Sequence, residues 1–135
     1  MLKQTDLAET IVLNSDDNLF VDVDETLVLW NIKDYPNDTV VQVRDPYMDD
    51  AIIELVPHKR HIELLKRCKG QGRKIVVWSA GGYAWAQRVV EALGIAPYVH
   101  LIMAKPIAYM DDKDMTEWRC QRIYLSKNLP KSITE

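Results

Sequence analysis

Two apolar runs, each ending in polar residues, constrain the fold of this chain more than any other feature of its sequence. Residues 19–23 are apolar apart from Asp22, and residues 75–78 are apolar throughout and lead directly into Ser79. Strands that are buried on both faces of a parallel sheet read as near-continuous apolar runs of this kind. The two runs therefore predict two buried strands, and the acid and hydroxyl groups at their ends require a separate explanation.

The remaining segments predict helices and further strands that alternate along the chain. Pro57 suits the first turn of a helix that ends at Gly70 and Gly72, and Gly94 closes a second helix. Strands that alternate with helices are typical of an α/β domain with a central parallel sheet. Beyond the two buried strands, the predicted elements are helices over 57–70, 83–93 and 114–127, and strands over 98–103 and 107–110.

Residues 33–56 interrupt this alternation with a predicted β-hairpin. Turn-forming residues separate two short apolar segments, 39–43 and 51–56, which suit strands. The chain has 135 residues and no linker-like stretch, so it is predicted to be a single domain over 1–135. The segment is expected to form a hairpin excursion from the parallel sheet.

Composition excludes several classes of protein. Hydrophobic residues make up 47% of the chain and charged residues 27%, which is typical of a globular domain. The net charge is −3, so non-specific binding to nucleic acid is disfavoured. No apolar run approaches the roughly 18 residues of a membrane span, and the first residues lack a signal-peptide pattern. Two cysteines make neither a disulfide framework nor a zinc site. We therefore expect a cytoplasmic domain that does not enter the membrane.

Polar side chains follow the ends of three predicted strands, and Lys105 precedes the last of these strands. Ligand sites in open α/β sheets lie at the carboxyl ends of the strands. These side chains should therefore converge at one edge of the sheet, although they are far apart in the sequence. They are Asp22, Asp24, Ser79, Asp111 and Asp112.

Such a cluster suits chemistry on a phosphate group. Neighbouring carboxylates repel one another unless a cation lies among them, and Mg²⁺ prefers oxygen ligands and substrate phosphates. A carboxylate can attack phosphorus and form an aspartyl-phosphate. The turn that follows Ser79 offers a hydroxyl and backbone N–H groups to an anion, and Lys105 adds a positive charge for the phosphoryl group.

These residues resemble the four motifs of the haloacid dehalogenase superfamily. Residues 20–28 are similar to the first motif, Asp-x-Asp-x-Thr after an apolar strand, with Asp22, Asp24 and Thr26 in its fixed positions. The resemblance covers residues 19–114. The other three motifs are matched, in the family's order, by Ser79, Lys105 and residues 109–112.

The resemblance implies a three-layer Rossmann-like fold and a role for each motif residue. Asp22 would be the nucleophile, and Asp24 would be the general acid that protonates the leaving oxygen and then the base that activates water. Thr26 would position the loop, while Ser79 and Lys105 would bind the phosphoryl oxygens. The implied reaction is hydrolysis of a phosphomonoester through an aspartyl-phosphate.

The resemblance also implies a Mg²⁺ site in a small, capless member of the superfamily. The ligands would be the Asp22 carboxylate, the Asp24 backbone carbonyl and Asp111, with Asp112 binding through water. The chain departs from many relatives because Lys105 lies only six residues before Asp111 and because no cap domain is present. Capless members are common among bacteriophage-encoded and polynucleotide-end phosphatases. They act on exposed phosphates or use a partner as a lid, which here would be a second copy of the chain.

The distribution of charge favours a small phosphorylated substrate, such as a nucleotide, over a polynucleotide. The hairpin region carries six acids against two basic residues, whereas residues 58–74 carry seven Lys or Arg and one Glu. An acidic flap would repel a long polyanion. Three alternatives stay open: a phosphatase acting on 3′- or 5′-phosphate ends, a protein phosphatase, and a non-catalytic phosphate-binding or receiver-like signalling module.

Aromatic and histidine side chains near these motifs have two interpretations each. Trp30, Tyr83 and Trp85 stack on a substrate base or pack against the core. His58 and His61, near the start of the basic helix, are expected at the surface, and the alternative for His58 is a position at the mouth of the site.

Overall fold

The computed structural model describes residues 17–127, which form two small sheets and two helices. Short 3-10 helices lie at Ile32–Asp34, Ala96–Tyr98 and Met115–Glu117. No helix in this described part is long and apolar enough to cross a membrane. The main elements are β1 (Asn18–Asp22), β2 (Val28–Leu29), β3 (Val41–Asp45), β4 (Ala51–Pro57), α1 (Lys59–Gly70), β5 (Lys74–Ser79), α2 (Tyr83–Ala92) and β6 (Leu101–Ala104).

The parallel sheet has the strand order β1-β5-β6. In its register, Asp22 of β1 lies opposite Trp78 of β5, and Ser79 of β5 lies opposite Ala104 of β6. The carboxyl ends of all three strands therefore meet at one edge of the sheet. The predicted α/β class and the strands predicted near residues 19–23, 74–78 and 98–103 are confirmed, although β6 is shorter than expected.

The second sheet is antiparallel and has the strand order β2-β4-β3. It contains the predicted hairpin, β3 and β4, together with β2, which the sequence did not indicate. Val43 and Leu55 are buried in the core, and the hairpin turn is joined to α2 by an Arg88–Asp50 ion pair of 3.2 Å. The hairpin therefore packs against the rest of the domain instead of projecting as a free flap.

The core lies between one face of the parallel sheet and the two helices. Helix α1 turns a buried face inward because His61, Leu64, Leu65 and Cys68 recur at intervals of three and four residues. Helix α2 contributes Trp85, Ala86, Val89 and Val90 to the same cluster. The strand residues in that cluster are Val21, Ile75 and Val77.

The opposite face of the parallel sheet is only partly covered. It carries Phe20 and Leu101, which are 43% and 49% exposed, and Trp78, whose ring lies against Phe20 at 4.6 Å between centroids. Both helices bury their side chains with Val21 and Val77 on the other face. Among residues 17–127, helices therefore cover one face of the parallel sheet, and the helical layer that the resemblance implies on the other face is not found.

The first helix begins two residues later than predicted. Pro57 is the last residue of β4, where it pairs with Val28, and α1 begins at Lys59. The side chain of His58 accepts a hydrogen bond from the backbone N–H of His61. The prediction was wrong because a histidine ring caps this helix, so proline is not needed at its first turn.

The end of the described chain also differs from its prediction. Residues 107–110 form no strand, and Ile107 and Met110 are fully exposed. Residues 114–127 contain only the 3-10 helix at 115–117, where Asp114 forms a capping box. The segment is extended near Leu125 because the Leu125 backbone N–H and carbonyl bond the rings of His61 and His58. A helix would need those same backbone groups for itself.

Candidate active site

Three of the predicted site residues meet at the end of β1. The Nζ of Lys105 lies 3.3 Å from Asp22 Oδ1, and the Thr26 hydroxyl lies 3.4 Å from Asp22 Oδ2. The backbone N–H of Lys105 donates to the carbonyl oxygen of Ser79 at 2.9 Å. This bond continues the parallel pairing of β5 and β6 and carries the lysine to the edge where β1 ends.

Asp24 lies beside the end of β5. The Ser79 hydroxyl is 3.5 Å from Asp24 Oδ2. The indole N–H groups of Trp30 and Trp85 donate to the other oxygen, Oδ1, at 2.8 and 3.0 Å. The structure therefore brings Asp22, Asp24, Thr26, Ser79 and Lys105 to one place, as their order in the sequence predicts.

A tight loop after β1 sets the direction of Asp24. The backbone N–H groups of Thr26, Leu27 and Val28 all point at the carbonyl oxygen of Val23. Glu25 has a φ of 59°, a left-handed conformation that costs a non-glycine residue about 1 kcal/mol or more. The Glu25 carboxylate accepts the backbone N–H of Trp30 at 2.8 Å, which closes the loop on itself.

The turn after β5 presents backbone donors near Ser79. The Ser79 hydroxyl accepts the N–H of Gly81 at 2.9 Å, and the N-cap residue of α2 is Gly82, so Ser79 is not the cap itself. Gly82 has a φ of 103°, and an added Cβ would collide with the hydroxyl of Tyr47 from the hairpin. The first N–H groups of an α-helix have no partner within the helix, so those at the start of α2 can bind an anion.

Asp111 and Asp112 are not part of this cluster. Both are exposed, and they line a shallow surface depression with Lys113, Glu117 and Arg119, among others. Asp111 accepts the backbone N–H of Lys113 at 2.9 Å. The prediction placed these acids beside Asp22 because it assumed a strand over 107–110, and that strand does not form.

The predicted Mg²⁺ ligands are consequently not assembled. Within residues 17–127, no three His, Cys, Asp or Glu side chains lie close enough together to hold a metal ion. Asp22 is paired with the Lys105 ammonium, and Oδ1 of Asp24 accepts two indole N–H groups. Because Asp111 is not beside Asp22, the described residues do not assemble the predicted ligand set for Mg²⁺.

A groove of about 440 Å³ lies between β1, Trp78 of β5, the loop after β1, α1 and residues 121–124. Asp22, Asp24 and Thr26 line one part of it. Apolar side chains, including Leu19 and Leu64, line another part. The Asp22 end of the site is therefore open to solvent through a partly apolar groove.

Two histidines hold the loop after β1 against the end of the described chain. His61 Nδ1 is 2.7 Å from the carbonyl oxygen of Thr26, and His61 Nε2 accepts the N–H of Leu125 at 2.8 Å. His58 Nε2 is 3.0 Å from the carbonyl oxygen of Leu125. Tyr124 adds a hydrogen bond of 2.8 Å from its hydroxyl to the carbonyl oxygen of Glu25.

This network assigns one proton to each imidazole ring. His58 Nδ1 accepts the N–H of His61, so the His58 proton is on Nε2; His61 Nε2 accepts from Leu125, so the His61 proton is on Nδ1. The rings stack at 3.7 Å. Burial, and then the neighbouring His61, lower the pKa of His58 from 6.5 to about 4. Burial also lowers the pKa of His61, against the opposing effect of the Thr26 carbonyl.

Several functional contacts were not anticipated from the sequence. His58 and His61 were expected at the surface, but they are 1% and 6% exposed. The position of His61 in the same periodic pattern as Leu64 and Leu65 was the available signal for its burial. Trp85 is 5% exposed and packs in the core, whereas Trp30 is 45% exposed, and their shared bond to Asp24 had no sequence signal.

Comparison with known proteins gives no assignment for this chain. No family model matches it, and no curated protein or solved structure matches it either. The function is therefore argued from the geometry of the site.

Proposed function

We propose that this protein is a phosphatase that hydrolyses a phosphomonoester through an aspartyl-phosphate on Asp22. The proposal rests on one observation: two pairs of polar side chains, Asp22 with Lys105 and Asp24 with Ser79, lie at the same edge of the parallel sheet. Lys105 lies 3.3 Å from Asp22, and Ser79 lies 3.5 Å from Asp24. A nucleophile, an acid–base group and two phosphate-binding groups are thus within reach of a single phosphoryl group.

In the first step, a carboxylate oxygen of Asp22 attacks phosphorus. The bond from phosphorus to the leaving oxygen breaks, and Asp24 gives its proton to that oxygen. The Lys105 ammonium neutralises negative charge as the phosphate approaches the anionic carboxylate. The Ser79 hydroxyl and the N–H groups at the start of α2 bind the other phosphoryl oxygens.

In the second step, water hydrolyses the aspartyl-phosphate. Asp24 is now a carboxylate, and it takes a proton from the water molecule as the water oxygen bonds to phosphorus. The bond from Asp22 to phosphorus breaks, and inorganic phosphate leaves with the Asp22 carboxylate restored. Asp24 is protonated again and is ready for the next substrate.

The charge of the surroundings supports a small substrate. The hairpin turn next to the Gly82 turn carries Asp45, Asp49 and Asp50, of which Asp50 is paired with Arg88. Acidic groups at this position repel a polyanion more than they repel a single phosphate. We propose a nucleotide or another small phosphate ester as the substrate.

The test is a hydrolysis assay on p-nitrophenyl phosphate, nucleotides, glycerol phosphate, phosphorylated oligonucleotide ends and a phosphopeptide. Each substrate is assayed with Mg²⁺ and with a chelator, because the resemblance implies the ion while the described carboxylates do not assemble a site for it. We expect Asp22→Asn to reduce turnover by at least about a thousandfold. Glu63→Gln, at an exposed position of α1 away from the hairpin turn, is the matched control and should retain the wild-type rate.

Two outcomes would contradict the proposal. Equal rates for folded wild-type protein and Asp22→Asn across all substrates would exclude Asp22 as the nucleophile. Tight binding of a phosphate ester with no turnover by the wild-type protein would instead support the phosphate-binding alternative.

A further inference from the structure

Asp24 has one carboxylate oxygen that is fully occupied by tryptophan side chains. Both Trp30 Nε1 and Trp85 Nε1 donate to Oδ1, at 2.8 and 3.0 Å. A carboxylate oxygen offers two lone pairs for hydrogen bonds in its plane. The two indole N–H groups therefore leave no place on Oδ1 for a proton.

The other oxygen of Asp24 faces the place where a phosphate would bind. Oδ2 lies 3.5 Å from the Ser79 hydroxyl, and it lies 3.7 Å from the position that a Cβ on Gly81 would take. A Cβ at Gly81 would be in ordinary van der Waals contact with this oxygen. The carboxyl group is thus held with one oxygen toward the tryptophans and the other toward the turn after β5.

We propose that Trp30 and Trp85 are positioning residues that fix Asp24 so that Oδ2 delivers the proton to the leaving oxygen and later accepts one from water. This inference rests on the proposed phosphatase function. It assigns a role to two side chains that do not themselves touch the reacting atoms.

The two tryptophans differ in how far they are buried, and so in whether the indole N–H needs a partner within the protein. Trp85 is buried, so its bond to Asp24 also supplies the hydrogen-bond partner that a buried N–H needs. Trp30 is 45% exposed, and water could satisfy its N–H. The bond from Trp30 to Asp24 is therefore not needed to satisfy a buried N–H. A substitution of Trp30 tests the positioning of Asp24 separately from the stability of the fold.

Trp30 is itself held rigidly enough to act in this way. Its backbone N–H donates to the Glu25 carboxylate at 2.8 Å, and its ring lies against Trp85 at 5.7 Å between centroids. The ring is thus fixed on one side by the loop after β1 and on the other by α2. Loss of its N–H would leave Oδ1 of Asp24 held by Trp85 alone, so Asp24 would be less restrained while an aromatic ring still packs against Trp85.

Comparing substrates with different leaving groups distinguishes a misplaced general acid from a general loss of activity. A p-nitrophenolate leaves without a proton, whereas an alkoxide needs one, so misplacing the acid harms only the alkyl ester. The ratio kcat/KM reports the step in which the leaving group departs. We would measure it for p-nitrophenyl phosphate and glycerol phosphate with wild type, Trp30→Phe, Trp85→Phe and Asp24→Asn.

For Trp30→Phe, we expect kcat/KM to fall about tenfold on glycerol phosphate and less than about twofold on p-nitrophenyl phosphate. Asp24→Asn should show the same selectivity with a larger loss. Trp118→Phe is the matched control, because Trp118 is 41% exposed and packs against Tyr109 away from Asp24, and it should change neither substrate. Circular dichroism and thermal unfolding establish that each variant is folded.

Equal losses on both substrates for Trp30→Phe would overturn the inference while leaving the phosphatase proposal intact. The same selective loss in Trp118→Phe would overturn it as well. A wild-type protein that is inactive on both substrates would overturn the proposed function, and the inference with it.

Discussion

Protonation of the buried histidine pair should destabilise the protein in mild acid. The folded state holds His58 neutral, because its Nε2 proton bonds the Leu125 carbonyl and its Nδ1 accepts the His61 N–H. The pKa of His58 is about 4 in the folded protein against 6.5 as its ordinary value. The unfolded chain therefore binds a proton more readily than the folded protein at any pH between these values.

The magnitude follows from that pKa difference. The stabilisation from a neutral His58 is fully present above pH 6.5, falls as the pH drops through the window down to about 4, and is lost below it. It amounts to about 3 kcal/mol in total, of which about 2 kcal/mol is lost by pH 5. The pKa of His61 is lowered too, so its protonation acts in the same direction. The charged neighbour Arg60 disfavours a proton on either ring.

The assay is urea unfolding of the wild type, His58→Gln and His100→Gln at several values from pH 7.5 to pH 4.5. Between pH 7.5 and pH 5, the free energy of unfolding of His58→Gln should fall by about 2 kcal/mol less than that of the wild type. His100 is exposed and lies outside the pair, so His100→Gln controls for the loss of a histidine. If His58→Gln loses as much stability as the wild type over this range, protonation of His58 is not the cause of the loss.

Two further substitutions test the packing around the site. Leu125 is 1% exposed, so Leu125→Ala should reduce the free energy of unfolding by about 3 kcal/mol. Met110 is fully exposed, so Met110→Ala should change the free energy of unfolding by less than about 0.5 kcal/mol. Equal effects of the two substitutions in urea unfolding would show that the segment at 123–127 is not part of the core. Gly82→Ala places a Cβ against the Tyr47 hydroxyl at a φ of 103° and should cost at least about 1 kcal/mol. Thermal unfolding of Gly82→Ala beside Gly70→Ala, where an added Cβ meets nothing within 4 Å, provides the comparison, and equal stability of the two variants would contradict the described turn.

The sequence predicted the parts of the site that depend on local patterns. Asp22 and Ser79 follow runs of apolar residues that become buried strands, and parallel strands bring their carboxyl ends together whatever lies between them. Lys105 was expected at the same edge for a different reason, because it was placed just before a strand over 107–110. That strand does not form, and Lys105 reaches the edge because it follows β6 directly.

The parts that the sequence did not predict depend on contacts between distant residues. Residues 114–127 have apolar positions that suit a helix, yet Leu125 is held in an extended segment by His58 and His61, more than sixty residues away. No local pattern reports which backbone groups a buried imidazole will bind. The bond between Trp30 and Asp24 is of the same kind, because it depends on how the loop after β1 turns back.

Trapping a phosphorylated form of the protein is the most direct test of an aspartyl-phosphate on Asp22. The wild type and Asp24→Asn are mixed with p-nitrophenyl phosphate, quenched in acid within one turnover, digested and analysed by mass spectrometry. We expect one phosphoryl group on Asp22, with a larger trapped fraction in Asp24→Asn, because that variant lacks the base that activates water. Turnover of the substrate with no phosphoryl group on Asp22, or with the group on another residue, would contradict it.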